Sequence, residues 1–257
     1  ASEVIVLRLR GEPGAHLGAV VMPLLLADAP VVVWWPAERP IAPALDPLGR
    51  LASRRITDAA ASDRRLPEPA HRRGQLELLA RGYTPGDTDL AWTRLTPWRA
   101  QLAAALELEA SEEVTSATVT GPPFVASALM AAWLEWRLGA PVRLEETDGD
   151  FLAAVELHFS GGRRVLLDKG LDESQARLRV TGQVDRVVAL GRRNRAESLG
   201  EELRRLEPDE FYGELARQAI PAFLASRFAP ADGDAAGSGR DGIGGEDGAG
   251  RDGGGGG

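Results

Sequence analysis

Residues 31–35 read VVVWW, and residues 3–10 read EVIVLRLR. The first is a continuous apolar run, the pattern of a strand buried on both faces of a parallel sheet. The second is rich in β-branched residues and also predicts a strand. Between them Gly11 and Gly14 mark a turn, and residues 16–26 predict a helix, with Pro23 counting against its last turn. Strand, helical crossover and strand within about 35 residues make the βαβ pattern of an α/β fold.

Working outward, prolines at 36, 40, 43 and 47 break the chain, but Ile41, Leu45 and Leu48 interleave with them. That mixture predicts an extended ordered loop, not a linker. Residues 51–60 (LASRRITDAA) continue as a short strand or helix, and residues 71–80 have helical spacing at Leu76, Leu79 and Ala80. Residues 89–108 predict a helical region with Pro97 at or near a helix start and Leu102 and Leu106 on one face.

A second unit begins at residues 114–120, which alternate as a strand does. A Gly121-Pro122-Pro123 turn follows, then a helix over 124–138 with Val125, Leu129, Trp133 and Trp136 on one stripe. Residues 142–145 predict a strand, and 153–159 with 163–168 flank Ser160-Gly161-Gly162 as a β-hairpin. More strand is expected at 177–181 and 184–189, then helices at 198–206 and 210–223 with Asp209 as a cap. The expected organisation is an N-terminal α/β domain over 1–110, an α+β domain over 111–230 and a tail over 231–257. The tail holds thirteen glycines and eight charges in 27 residues, too little apolar surface for a core, and reads as disordered.

Composition narrows the function. The chain has no Cys, which removes disulfides, thiolate metal sites and a cysteine nucleophile. The net charge of −8 carries no basic stripe, so nucleic acid is not an expected partner. No apolar run reaches the roughly 18 residues of a membrane helix, and no secretory signal is evident, so the cytoplasm is the expected compartment. His16, His71 and His158 are far apart and lack ligand-type partners at helical spacing. Gly11, Gly14 and Gly18 miss the dinucleotide spacing, and the only lysine is Lys169, away from any phosphate loop. No Gly-x-Ser-x-Gly elbow is present, and Glu112-Glu113, Glu145-Glu146 and Glu201-Glu202 are sequence neighbours that point apart. No catalytic residue, cofactor or metal is therefore assigned.

The placement of Trp and Arg stands out. Arg54, Arg55 and Asp58 follow the proline loop, and Trp92, Arg94, Trp98 and Arg99 cluster at a helix start. Trp and Arg dominate energetically important contacts, because each joins a large area to a polar handle. These seven residues are the candidates for interface or ligand contact. Trp34, Trp133 and Trp136 are expected to pack the core.

Three stretches carry a resemblance: VVVWWP at 31–36, DPLGRLASRRITDAA at 46–60 and DLAWTRLTPWR at 89–99. Together, in this order and spacing, they resemble the glucose-6-phosphate dehydrogenase assembly protein family, OpcA. The match runs through the strand at 114–120 and the long helix to about residue 225. The resemblance implies a non-catalytic allosteric activator that binds glucose-6-phosphate dehydrogenase, promotes its active oligomer and controls entry into the oxidative pentose phosphate pathway. Family members carry a further N-terminal segment, so a truncated start and a first sheet short of strands are expected. Cyanobacterial members are associated with thioredoxin-dependent regulation through cysteines, which a Cys-free chain cannot use. The rival reading is a sugar-phosphate-binding protein or enzyme in which Arg54, Arg55, Arg94 and Arg99 converge on a phosphate.

Overall fold

A short strand that carries two adjacent arginines sits at the centre of the first sheet. In the computed structural model, which describes residues 4–8, 16–63, 69–108, 112–170, 172 and 174–228, three parallel strands pair in sequence order. They are β1 (Val32–Trp34), β2 (Arg54–Thr57) and β3 (Asp87–Asp89). Val32 lies opposite Arg54, and Arg55 opposite Asp87. All four residues of β2 are buried, whereas β1 is half-buried and pairs on one side only. The apolar run is thus an edge strand, and the central strand reads RRIT. A run of valines cannot tell edge from centre, because burial on both faces depends on what the rest of the chain supplies.

The expected βαβ unit lies one strand later than its sequence position. Residues 4–8 join neither sheet, and Val4, Ile5 and Val6 are exposed. Gly11 and Gly14 lie outside the described residues, as does the tail over 231–257. The helix expected at 16–26 is shortened to α1 (Leu17–Val21) and a tight turn over Met22–Leu24, where Pro23 ends regular hydrogen bonding. The proline loop joins β1 to β2 through two more single turns, Pro43–Leu45 and Gly49–Leu51. The helical crossover runs from β2 to β3, through α2 (Ala60–Asp63) and α3 (Pro69–Arg81).

Next come α4 (Leu90–Arg94) and α5 (Thr96–Leu108), with Pro97 in the first turn of α5, where its missing N–H costs nothing. The second sheet has six strands in the order β5-β4-β6-β7-β8-β9. These are β4 (Val114–Gly121), β5 (Val142–Glu146), β6 (Ala154–Phe159), β7 (Arg164–Asp168), β8 (Gln175–Val180) and β9 (Arg186–Ala189). β4 pairs parallel with β5, across the helix α6 (Val125–Leu138), and antiparallel with β6. The hairpin read at 153–168 forms as β6 and β7.

Period-2 alternation decides the faces of this sheet. Ala117, Val119, Val155, Leu157, Val165, Leu167 and Leu178 are buried on one side, while Glu156, His158, Arg164 and Arg177 occupy the other. α6 packs on β4 and β5, and α5 meets β7. Residues 195–228 close the fold as α7 (Arg195–Leu203), α8 (Glu210–Glu214), one wider turn over Leu215–Ala219 and α9 (Ile220–Phe228). One apolar cluster runs from Leu76 and Trp92 through Leu129 and Leu157 to Phe223. Trp133 packs against it, but Trp136 is 41% exposed and donates to Glu214, so the expected core role of Trp136 is not met. Trp34 is half-buried in edge strand β1.

Candidate functional site

Strand β2 delivers Arg54 and Arg55 into the interior, which only complete neutralisation permits. Arg55 pairs through Nε with Asp87 and donates Nη1 to the Ala52 carbonyl at 2.8 Å and Nη2 to the Pro85 carbonyl at 2.6 Å. Asp87 also accepts from the Thr84 backbone N–H at 2.7 Å. Burial raises the Asp87 carboxyl, against the Arg55 hydrogen bond. Gly86 is part of the design: its φ is +97°, and a Cβ there would lie 2.5 Å from the Ser53 carbonyl oxygen.

Arg54 reaches the far end of the sequence. Its Nη2 meets Glu202 of α7 at 2.6 Å, and its Nη1 donates to the Glu207 carbonyl. Thr93 of α4 donates to the other oxygen of Glu202 at 2.6 Å. Burial raises the Glu202 carboxyl, with Thr93 and Arg54 opposing. Trp92 is fully buried and donates its indole N–H to Asp209 at 3.2 Å. Asp209 in turn caps α8 through the Tyr212 N–H at 3.0 Å, as the sequence predicts. Arg99 lies 3.4 Å over the Trp92 ring, and Trp133 meets that ring edge-on. Burial brings the Arg99 guanidinium down to about 10, with Asp209 and Glu202 holding it up, so it stays charged at neutral pH.

A second cluster lies beside the first. Asp89 ends β3 and caps α4 through the Ala91 N–H at 2.8 Å, while accepting from Thr57 at 2.6 Å and from the Ala59 N–H. Asp58, 1% exposed, takes both Nη atoms of Arg94 at 2.7 and 2.9 Å, and Arg195 approaches it at 3.4 Å.

The seven candidates therefore separate. Arg54, Arg55, Trp92 and Arg99 belong to the internal network; Asp58, Arg94 and Trp98 line a cleft of about 460 Å³. The cleft opens where β2, β3 and β4 end, since Ala60, Ala91 and Pro122 are all in its wall. Its lining carries five cations, Arg94, Lys169, Arg192, Arg193 and Arg195, against the carboxylates Asp58 and Asp150. Leu95, Trp98, Phe124 and Leu152 form its apolar surface. Arg54, Arg55 and Arg99 do not converge with Arg94 on one point. The sequence reading passed over Lys169 and the run Arg192-Arg193-Asn194-Arg195; a triple of arginines at a helix start was the available signal.

Two sheets, a central ion-pair network and a cationic cleft at strand carboxyl ends define an α/β protein in which Arg54 and Trp92 reach across to Glu202 and Asp209. The chain belongs to the glucose-6-phosphate dehydrogenase assembly family: residues 1–75 match the family model of the glucose-6-phosphate dehydrogenase subunit N-terminal domain, and residues 85–216 that of its C-terminal domain. The family names point to glucose-6-phosphate dehydrogenase as the partner and to an assembly subunit. No curated protein matches the chain. Among solved structures it is similar to a mutant of the 3-ketoreductase KijD10 from Actinomadura kijaniata, in complex with TDP-benzene and NADP. That likeness has 10% identity and a TM-score of 0.44, over 69% of this chain and 70% of that one. A second KijD10 structure, with NADP and TDP-benzene, has 9% identity and a TM-score of 0.41, over 66% and 69%. Among the described residues no helix is long and apolar enough to cross a membrane.

Proposed function

We propose that the chain is a non-catalytic assembly factor that binds glucose-6-phosphate dehydrogenase, promotes its active oligomer and raises its activity, and so controls entry into the oxidative pentose phosphate pathway in the cytoplasm. Family membership supports the partner. One structural observation supports the docking surface: of the seventeen large hydrophobic residues exposed among the described residues, ten lie between Val4 and Leu45. Exposed apolar residues that gather into one patch mark a protein contact, and this stretch is where the chain offers most of them. The unit over 1–110 then carries the docking surface, and the unit over 111–230 supports it. Of the candidates, Arg54 and Arg55 shape that surface from beneath, through the pairing of β2 with β1, while Trp92, Arg94, Trp98, Arg99 and Asp58 hold the interior and the cleft behind it.

The test titrates purified dehydrogenase with the chain while its native mass and activity are followed. Mass and activity are expected to rise together, and the chain alone should not oxidise glucose 6-phosphate with NADP. Placing charges at the exposed Ile5 and Ile41, as Ile5→Asp with Ile41→Asp, should weaken binding by about 2 kcal/mol or more, roughly thirtyfold, with unchanged melting. No change in the dehydrogenase's mass or activity would sink the reading.

A further inference from the structure

We infer that the cleft at the ends of β2, β3 and β4 is a binding site for a phosphate ester with a planar or apolar remainder, of which a nucleoside monophosphate is the simplest common example. Three observations carry this. The first is charge: the lining holds five cations and two carboxylates, and although Arg94 and Arg195 meet Asp58, Lys169 donates to the Leu190 carbonyl and Arg192 lies over the Phe151 ring, the lining stays net positive in a protein whose net charge is −8. A cleft so charged, with apolar walls, draws and holds an anion. The second is an unmet donor. Arg193 Nη1 is buried and has no hydrogen-bond partner among the described residues. Arg193 is also in the cleft lining, so a turn of its side chain would bring that unmet N–H to a phosphate oxygen and remove the cost of leaving it without an acceptor.

The third is shape and polarity. A volume of about 460 Å³ is that of a small-molecule site. The ends of parallel strands are where open α/β sheets place their ligands. Leu95, Trp98, Phe124 and Leu152 give the remainder of the ligand apolar and aromatic wall, which suits a base or ring better than a bare sugar. Asn194 Oδ1 is already committed, since it accepts from the Glu197 N–H in a capping box. The Asp58–Arg94 pair is also committed, but fixes the cleft's floor. The site stands apart from the exposed apolar residues between 4 and 45, so its occupancy is testable on the chain alone.

The experiment is calorimetric titration of the full chain with AMP, glucose 6-phosphate and inorganic phosphate in parallel, at low and physiological salt. AMP should bind saturably and more tightly than either other anion. Arg193→Gln removes the unmet donor and should weaken AMP about tenfold, the worth of one charge-assisted hydrogen bond. Ala61→Phe narrows the cleft without touching a charge and should also weaken AMP. Melting curves of both variants confirm that they are folded; if one does not fold, the other carries the test. No saturable AMP binding overturns the proposal, as does AMP binding that ignores the substitutions. Glucose 6-phosphate or inorganic phosphate binding as tightly as AMP overturns the assignment of a planar remainder.

Discussion

Arg54 and Glu202, 148 residues apart in the chain, meet at 2.6 Å, and this pair bolts the central strand of the first sheet to the closing helix α7. The Arg54 side chain is 2% exposed and that of Glu202 11%, so neither charge has water as an alternative. Thr93 donates to Glu202 and the Glu207 carbonyl accepts from Arg54, which leaves Arg54 Nε as the one nitrogen of the pair without a partner among the described residues. The halves of the protein are thus joined by charge as well as by the shared apolar cluster.

Arg54→Ala should leave Glu202 buried and unpaired. A loss on the order of 3 kcal/mol is expected, about 6–12 °C in melting temperature for a chain of this size. The double variant Arg54→Met with Glu202→Leu should recover most of it, because apolar replacement of a buried pair is often neutral. Thermal melting at neutral pH checks both; an unchanged Arg54→Ala melt would mean the pair is not holding the halves together.

Glu202 supplies a pH dependence whose sign is definite. Burial raises its carboxyl above the ordinary glutamate value of 4.5. The folded state therefore holds that proton more tightly than the unfolded chain. Its stabilising contribution is complete below 4.5 and is lost as pH rises through the raised value. Melting of wild type and Glu202→Gln across this range should show the wild type losing ground to the variant as pH rises. The opposite slope would show that Arg54 and Thr93 outweigh burial.

Trp98 is 7% exposed, and Arg99 covers the Trp92 ring at 3.4 Å. Trp98→Ala should cost about 3–5 kcal/mol through the cavity it leaves. Arg99→Ala should lower the melting temperature less, since it removes a stacking contact and leaves no large void. Dehydrogenase activation measured below the melting range should persist in both. Normal melting with lost activation would instead make these residues direct contacts.

Gly49 lies in the DPLGR stretch, at a close approach of two backbones. A Cβ there would stand 1.8 Å from the Pro43 carbonyl oxygen and 3.3 Å from Arg55 Cδ. Gly49→Ala should therefore displace the proline loop and destabilise by about 2 kcal/mol or more, in the range of overpacked interiors. A circular-dichroism melt is sufficient; an unaffected variant would mean that the loop moves aside freely.

The α/β class, the β6–β7 hairpin, the long helix α6 and the Asp209 cap were legible in the residues themselves, because period, turn composition and capping act between near neighbours. The Trp and Arg motifs and their order were likewise enough to indicate the family that residues 1–75 and 85–216 match. What no local pattern contains is which strand is central and which partner neutralises a charge. VVVWW looked like the interior strand, yet the chain buries RRIT, because Asp87, Glu202 and the carbonyls of Ala52, Pro85 and Glu207, from up to 153 residues away, accept from its arginines. For the same reason Arg54, Arg55 and Trp92 turned inward, while Lys169 and Arg193, which lie 24 residues apart in sequence, came to line a common cleft. Burying a charge depends on the sum of its surroundings, and only the tertiary structure assembles that sum.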